Sequence, residues 1–240
     1  EGRGHEVRAL GLSGGSVVRL IAPLLIGALG SAILVGLGVW QVQRLHWKEA
    51  ILAEIEAQIA AVPVAVPVAP DSATDRYLPV EALGEIGPGE LRILVSVKGV
   101  GPAYRIVAPF RTIDGRRLMV DRGYVPDAAK DAPRPTGSAV VTGNLHWPDE
   151  VDRFTPENDI AGNVWFARDV ASMARALDTE PVLIVARRTS ETDPQVTPLP
   201  VDISGIPNDH LQYAVTWFGL AAVWILMTGL WVRRIARGAA

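Results

Sequence analysis

Two long apolar runs frame a middle stretch in which apolar and polar residues alternate in short bursts. No charged side chain occurs over 20–43 or over 211–232. Taken as 20–40, the first run makes roughly 31 Å of helix at ~1.5 Å per residue, close to the ~30 Å hydrocarbon core of a bilayer. It is too long for the apolar core of a signal peptide. It also proceeds into Trp40-Gln41-Val42-Gln43-Arg44 without a small-residue cleavage site, so it predicts an uncleaved transmembrane helix. The second run predicts another over 209–232. Beyond the first span, Trp40, Arg44, Trp47 and Ile51 share one helical face and Gln41, Lys48 and Glu49 lie off it. That spacing carries the helix out to about residue 60, where Pro63, Pro67 and Pro70 end it in an extended connector. Small residues fall on two stripes of the first span, Gly27 with Ser31 and Ala28 with Ala32 and Gly36, and such stripes let the second span approach closely.

The middle reads as strands over 78–86, 91–98, 104–112, 117–125, 138–146 and 181–186, with one helix over 167–177. Asp114-Gly115 between the third and fourth strands is a hairpin signal. The fold class is therefore a membrane protein with two transmembrane helices, N- and C-terminal, flanking an α+β extramembrane domain. That domain is expected to be a small twisted sheet or partial barrel plus one helix. The expected organisation is a cytoplasmic tail (1–19), the first span (20–40), neck and connector (41–70), an extracytoplasmic domain (71–208), the second span (209–232) and a basic tail (233–240).

Charge sets the topology. Arg3, Arg8 and Arg19 precede the first span and Arg233, Arg234 and Arg237 follow the second, which places both termini on the cytoplasmic or matrix side. The middle domain then lies in a periplasm or its equivalent, in a bacterial inner membrane or, alternatively, a mitochondrial one. A net charge of −3 offers no basic surface for nucleic acid. The absence of cysteine removes disulfides, zinc–thiolate sites, iron–sulfur ligation and covalent c-type haem attachment. No Gly-x-Ser-x-Gly elbow, phosphate-binding glycine loop or paired-histidine metal motif occurs, and the carboxylates between Asp149 and Asp159 read as a solvated loop, so no enzyme is expected.

One histidine stands out. His210 opens the second apolar run, with Tyr213, Trp217 and Trp224 on the same helical face. An imidazole there can be an axial ligand to a haem iron or an interfacial anchor in an aromatic belt. His46 in the neck sits at similar depth.

The neck Trp40-Gln41-Val42-Gln43-Arg44-Leu45-His46-Trp47-Lys48 resembles the opening signature of the Surfeit locus protein 1 family. Tyr104-Arg105-Ile106-Val107-Ala108-Pro109-Phe110, Asp121-Arg122-Gly123-Tyr124-Val125-Pro126, Thr155-Pro156-Glu157-Asn158, Trp165-Phe166-Ala167-Arg168-Asp169 and Asn208-Asp209-His210-Leu211-Gln212-Tyr213 follow in matching order. Asp121 departs, standing where the family usually has Asn. The resemblance implies a membrane-anchored factor for cytochrome c oxidase assembly that helps insert haem a into oxidase subunit I, with the oxidase subunits, haem A synthase and membrane lipids as partners. It further implies His210 as the haem iron ligand. From the chemistry of haem a, an apolar macrocycle with anionic propionates, Tyr213 and Trp217 are then expected to pack on the ring, Trp40 to line the same site, and Arg44 with Arg122 to pair with the propionates. A haem-independent scaffold, or a permanent accessory subunit docking through the outer domain, is the alternative.

Overall fold

The structure, a computed structural model, describes residues 14–192 and 194–238. It divides into two compact units, the residues up to Ile51 together with those from Ile206 onward, and Leu52–Gly205.

The first unit holds two helices, most of α1 (Gly14–Ala60) and α3 (His210–Gly238). Both are long and apolar enough to cross a membrane. Leu24, Leu25, Leu29 and Ile33 of α1 and Val215, Leu226 and Met227 of α3 are at least half exposed. Only 11% and 6% of the apolar windows are buried, so these are not core helices of a water-soluble fold. Their exposed apolar surface needs a hydrocarbon surround, and the described residues form a membrane protein with two helices of spanning length flanking an α+β domain. Arg233, Arg234 and Arg237, expected in a tail beyond the second span, continue the α3 helix. Arg3 and Arg8 lie outside the described residues.

The second unit is built on one mixed sheet. Its strands are β1 (Val64–Ala65), β2 (Pro79–Ile86), β3 (Leu91–Val97), β4 (Gly101–Thr112), β5 (Arg117–Pro126), β6 (Gly137–Leu145), β7 (Val164–Trp165) and β8 (Leu183–Thr189). Five of them pair in a ring, β2–β6–β8–β5–β4–β2, antiparallel except for β5 with β8. The expected partial barrel is thus closed, by three register pairs joining Gly84–Ile86 of β2 to Phe110–Thr112 of β4. The β4–β5 hairpin turns at Asp114-Gly115, and Gly115 supplies the left-handed φ of 90° that the turn requires.

Alternation divides the core between two faces of this ring. Phe110, Leu118, Val120, Val141 and Ile184 join one apolar cluster. Met119, Leu183 and Val185, their neighbours on the opposite face, pack with Met173, Ala174 and Leu177 of α2 (Val170–Leu177) and with Trp165. β5 and β8 are therefore buried on both faces, as a parallel pair covered by a helix must be. The α2 helix begins at Val170 rather than 167 because Asp169 caps it, accepting from the backbone N–H of Ala171 and Ser172.

Two bulges interrupt the ring, and each re-aims an arginine. The pairing of β5 with β4 skips Arg122, between Asp121 opposite Val107 and Gly123 opposite Ile106. The pairing of β8 with β6 skips Arg187, between Ala186 opposite Gly143 and Arg188 opposite Thr142. Freed from the ladder, Arg187 donates to the carbonyl of Ile59 at 3.1 Å, where the fully buried Asn144 donates at 3.0 Å. Together they satisfy a carbonyl in the last turn of α1.

Candidate functional site

The antiparallel α1 and α3 segments of the first unit meet along a seam of small residues. Ala214 and Ala221 are buried on α3, four and eleven residues after His210, and Trp217 between them is half-buried. On α1, Gly27, Gly30 and Gly38 face Thr228, Trp224 and Phe218 so closely that an added Cβ would press into each side chain. Trp224 donates its indole N–H to the Gly27 carbonyl at 3.2 Å, a hydrogen bond across the seam. The Gly27 stripe is thus used, whereas nothing lies within 4 Å of the Gly36 Cβ position and Ala28 and Ala32 are exposed. Of the two stripes, α3 packs on one.

At the head of α3 the seam ends in a polar pair. The imidazole Nδ1 of His210 lies 2.8 Å from Gln41 Oε1. Gln41 is 8% exposed, among the few buried polar residues of the chain, and His210 is half-buried. Sequence reasoning set Gln41 aside because it lies off the Trp40–Arg44–Trp47 face. The available signal was a polar side chain inside an uncharged run, where an amide needs a partner.

Around this pair the other expected residues are only partly gathered. Tyr213 and Trp40 are each 54% exposed, flanking the seam rather than filling it. Arg44 stacks its guanidinium 3.7 Å from the centroid of Trp47. That stack leaves the N–H edges of the fork free, and among the described residues no carboxylate pairs with it. His46 is largely exposed and lies 3.5 Å from Glu49.

Arg122 belongs to the second unit, where it is 2% exposed. It donates to Glu191 Oε1 at 2.6 Å and to the Pro194 carbonyl at 3.2 Å. Burial pushes its pKa down despite the Glu191 charge beside it. The next residue, Gly123, has φ 120° and packs so tightly on Thr197 that any Cβ would strike the Thr197 carbonyl. Tyr124 then exchanges backbone hydrogen bonds with Thr197, donating at 2.8 Å and accepting at 2.9 Å. The Asp121-Arg122-Gly123-Tyr124 motif is therefore a clamp that fastens the segment after β8 onto β5.

Asp121 heads a second network. It is fully buried and accepts from Arg105 and, at 3.4 Å, from Arg168, which in turn chelates Glu150. Glu150, read as a solvated carboxylate, is engaged instead. Burial pushes its carboxyl up, but the hydrogen bonds and charge of Arg168 outweigh this and hold it below the ordinary range. Nearby, His146 stacks on Tyr77 at 5.3 Å, and burial, reinforced by the charges of Arg168 and Arg76, lowers its pKa from 6.5 to about 4. Within that window the unfolded chain binds a proton that the folded chain refuses, so stability falls as pH drops from about 6.5 toward about 4. His146→Phe keeps a ring on Tyr77 and removes the proton. Its melting temperature, followed from pH 7 to 5 on the full chain in detergent, is expected to fall less steeply than that of the parent. An equal slope would refute the assignment.

Comparison with known proteins bears on this arrangement directly. The SURF1 family model matches residues 28–222, a range that holds both Gln41 and His210. The chain belongs to the SURF1 family. Human Surfeit locus protein 1 is 30% identical over 227 residues, covering 85% of this chain and 74% of the human protein. The SURF1-like protein of Rickettsia felis is 30% identical over 215 residues, covering 85% of this chain and 93% of that protein. Rat Surfeit locus protein 1 is 29% identical over 225 residues, covering 84% and 72%. The family match thus runs from α1 through the whole barrel and into α3, taking in the clamp and the His210 end of the seam but not Gly27, Trp224 or Thr228.

Proposed function

We propose that this SURF1-family protein is a membrane-anchored accessory factor of cytochrome c oxidase assembly that binds haem a as cargo and passes it to oxidase subunit I. The observation that carries the reading is the His210–Gln41 pair: a half-buried imidazole at the head of a membrane helix, one nitrogen engaged and the ring held by the neighbouring span. Haem a combines an apolar macrocycle and tail with anionic propionates, so its carrier belongs at a membrane boundary. The residues present fit that chemistry. His210 supplies the iron ligand, Tyr213, Trp217 and Trp40 supply aromatic surface beside it, and Arg44, stacked on Trp47 and paired with no carboxylate among the described residues, supplies a guanidinium for a propionate. Arg122, committed to Glu191 in the barrel, takes no part in the proposed site.

The protein works by binding and release rather than by catalysis, and one axial histidine gives the moderate affinity that hand-over needs. Its partners are the oxidase subunits, with subunit I as acceptor and haem A synthase as donor. The barrel faces the periplasm or its equivalent, with both helix ends bearing arginine on the cytoplasmic side.

Purification from cells that make haem a tests the reading. Wild-type protein is expected to carry haem with a ligand-field spectrum of histidine coordination, and His210→Ala to lose most of it. Unchanged haem content and spectrum in His210→Ala would overturn the proposal and favour the haem-independent scaffold or permanent accessory subunit.

A further inference from the structure

We infer that Gln41 is a positioning residue that fixes His210 as the Nδ1–H tautomer and so leaves the Nε2 lone pair as the ligating atom. The inference rests on the haem-carrier reading for its purpose, but its core is a statement about the protein alone. A neutral imidazole has one N–H and one lone pair, and the hydrogen bond made by one nitrogen decides the role of the other. Gln41 presents Oε1, which can only accept, 2.8 Å from Nδ1. Nδ1 therefore holds the proton, and Nε2 is left with the lone pair.

The environment enforces the choice. Gln41 is 8% exposed and sits beside an apolar seam, where water cannot readily replace a lost partner. An imidazole without this bond would populate both tautomers, and the one protonated at Nε2 would offer an N–H to an incoming metal. Ligand histidines are commonly held in this way by a carbonyl, amide or carboxylate acceptor behind the ring, which also raises their basicity. Here that acceptor comes from the other span, so the ligating atom is set by the pairing of α1 with α3.

The test uses the full-length chain in lipid nanodiscs with ¹⁵N-labelled histidine, the His210 signals being assigned by their loss in His210→Ala. Without haem, Nδ1 is expected to be protonated and Nε2 to carry the lone pair. Gln41→Leu removes the acceptor and is expected to mix the tautomers and lower haem retention by about tenfold or more, the usual effect of losing such a partner. Gln41→Glu keeps an acceptor oxygen and is expected to restore both the tautomer and the haem, which a loss of folding or helix pairing would not do. A protonated Nε2 in the wild type would overturn the inference. So would haem that is lost in His210→Ala yet fully retained in Gln41→Leu, and in that case the carrier reading would stand. Haem unaffected by His210→Ala, with Nδ1 still protonated, would instead sink the carrier reading and leave the tautomer assignment intact.

Discussion

Asp121→Ala is expected to cost the barrel roughly 3–5 kcal/mol, the range for removing one partner of a buried ion pair. Asp121 is 0% exposed, and the side chains of Arg105 and Arg168 that converge on it are 11% and 12% exposed. Its loss leaves two guanidiniums facing each other in a poorly solvated space, with Glu150 holding only one of them. It also orphans the Gly123 N–H, which donates to Asp121 Oδ1 at 3.1 Å and steadies the clamp glycine. Against a domain stability of ~5–15 kcal/mol, this is a large fraction. The melting temperature of the second unit should fall by about 6–20 °C, at ~2–4 °C per kcal/mol for a domain of this size. Circular dichroism of the full chain in detergent reads it out. Asp121→Asn keeps the acceptor for Gly123 while discarding the charge, and its loss should be smaller, about 1–2 kcal/mol. A loss below ~1 kcal/mol in Asp121→Ala would mean that the arginines find water or other partners.

The elements legible in the sequence were those whose signal is local. Period-two alternation placed β2 to β6 and β8 to within a few residues, and Asp114-Gly115 placed their central hairpin. β1 and β7 were missed because each has two residues, too few to show any period. Ring closure was not legible either, since it depends on Gly84 letting the backbone at Arg111 approach, a contact across 27 positions of chain that no pattern announces. The roles of charged residues were hardest to see. Arg122 and Glu150 look alike in sequence, polar residues in motif or loop, yet one is clamped by a bulge against Glu191 and the other is chelated by Arg168. His210 was found because a histidine at the head of an apolar run is conspicuous. Gln41 was not, because its meaning lies in a partner 169 residues away.

The seam admits an equally direct test, which turns on two glycines six positions apart. Gly30→Leu is expected to separate α1 from α3, and Gly36→Leu to leave them paired. A Cβ at Gly30 lands inside the Trp224 indole, whose N–H is fixed to the Gly27 carbonyl, so the ring cannot move without breaking that bond. Overpacking costs about 1–3 kcal/mol and the interhelical hydrogen bond adds ~1 kcal/mol. At Gly36 nothing lies within 4 Å, and a leucine there meets only lipid. The chain has no cysteine, so an engineered pair reports without background. A Cβ at Gly27 would stand 3.1 Å from the Thr228 Cβ, a few tenths of an ångström short of the ~3.5–4.5 Å that a disulfide spans, so a slight relaxation of the seam brings the pair into range. Gly27→Cys with Thr228→Cys should therefore cross-link readily on mild oxidation, and adding Gly30→Leu should lower the yield about tenfold while Gly36→Leu does not. Equal yields in the two backgrounds would show that the glycine seam does not hold the spans together. The inferred control of the His210 tautomer would then lose its physical basis as well, because Gln41 reaches His210 only while the two helices stay in register.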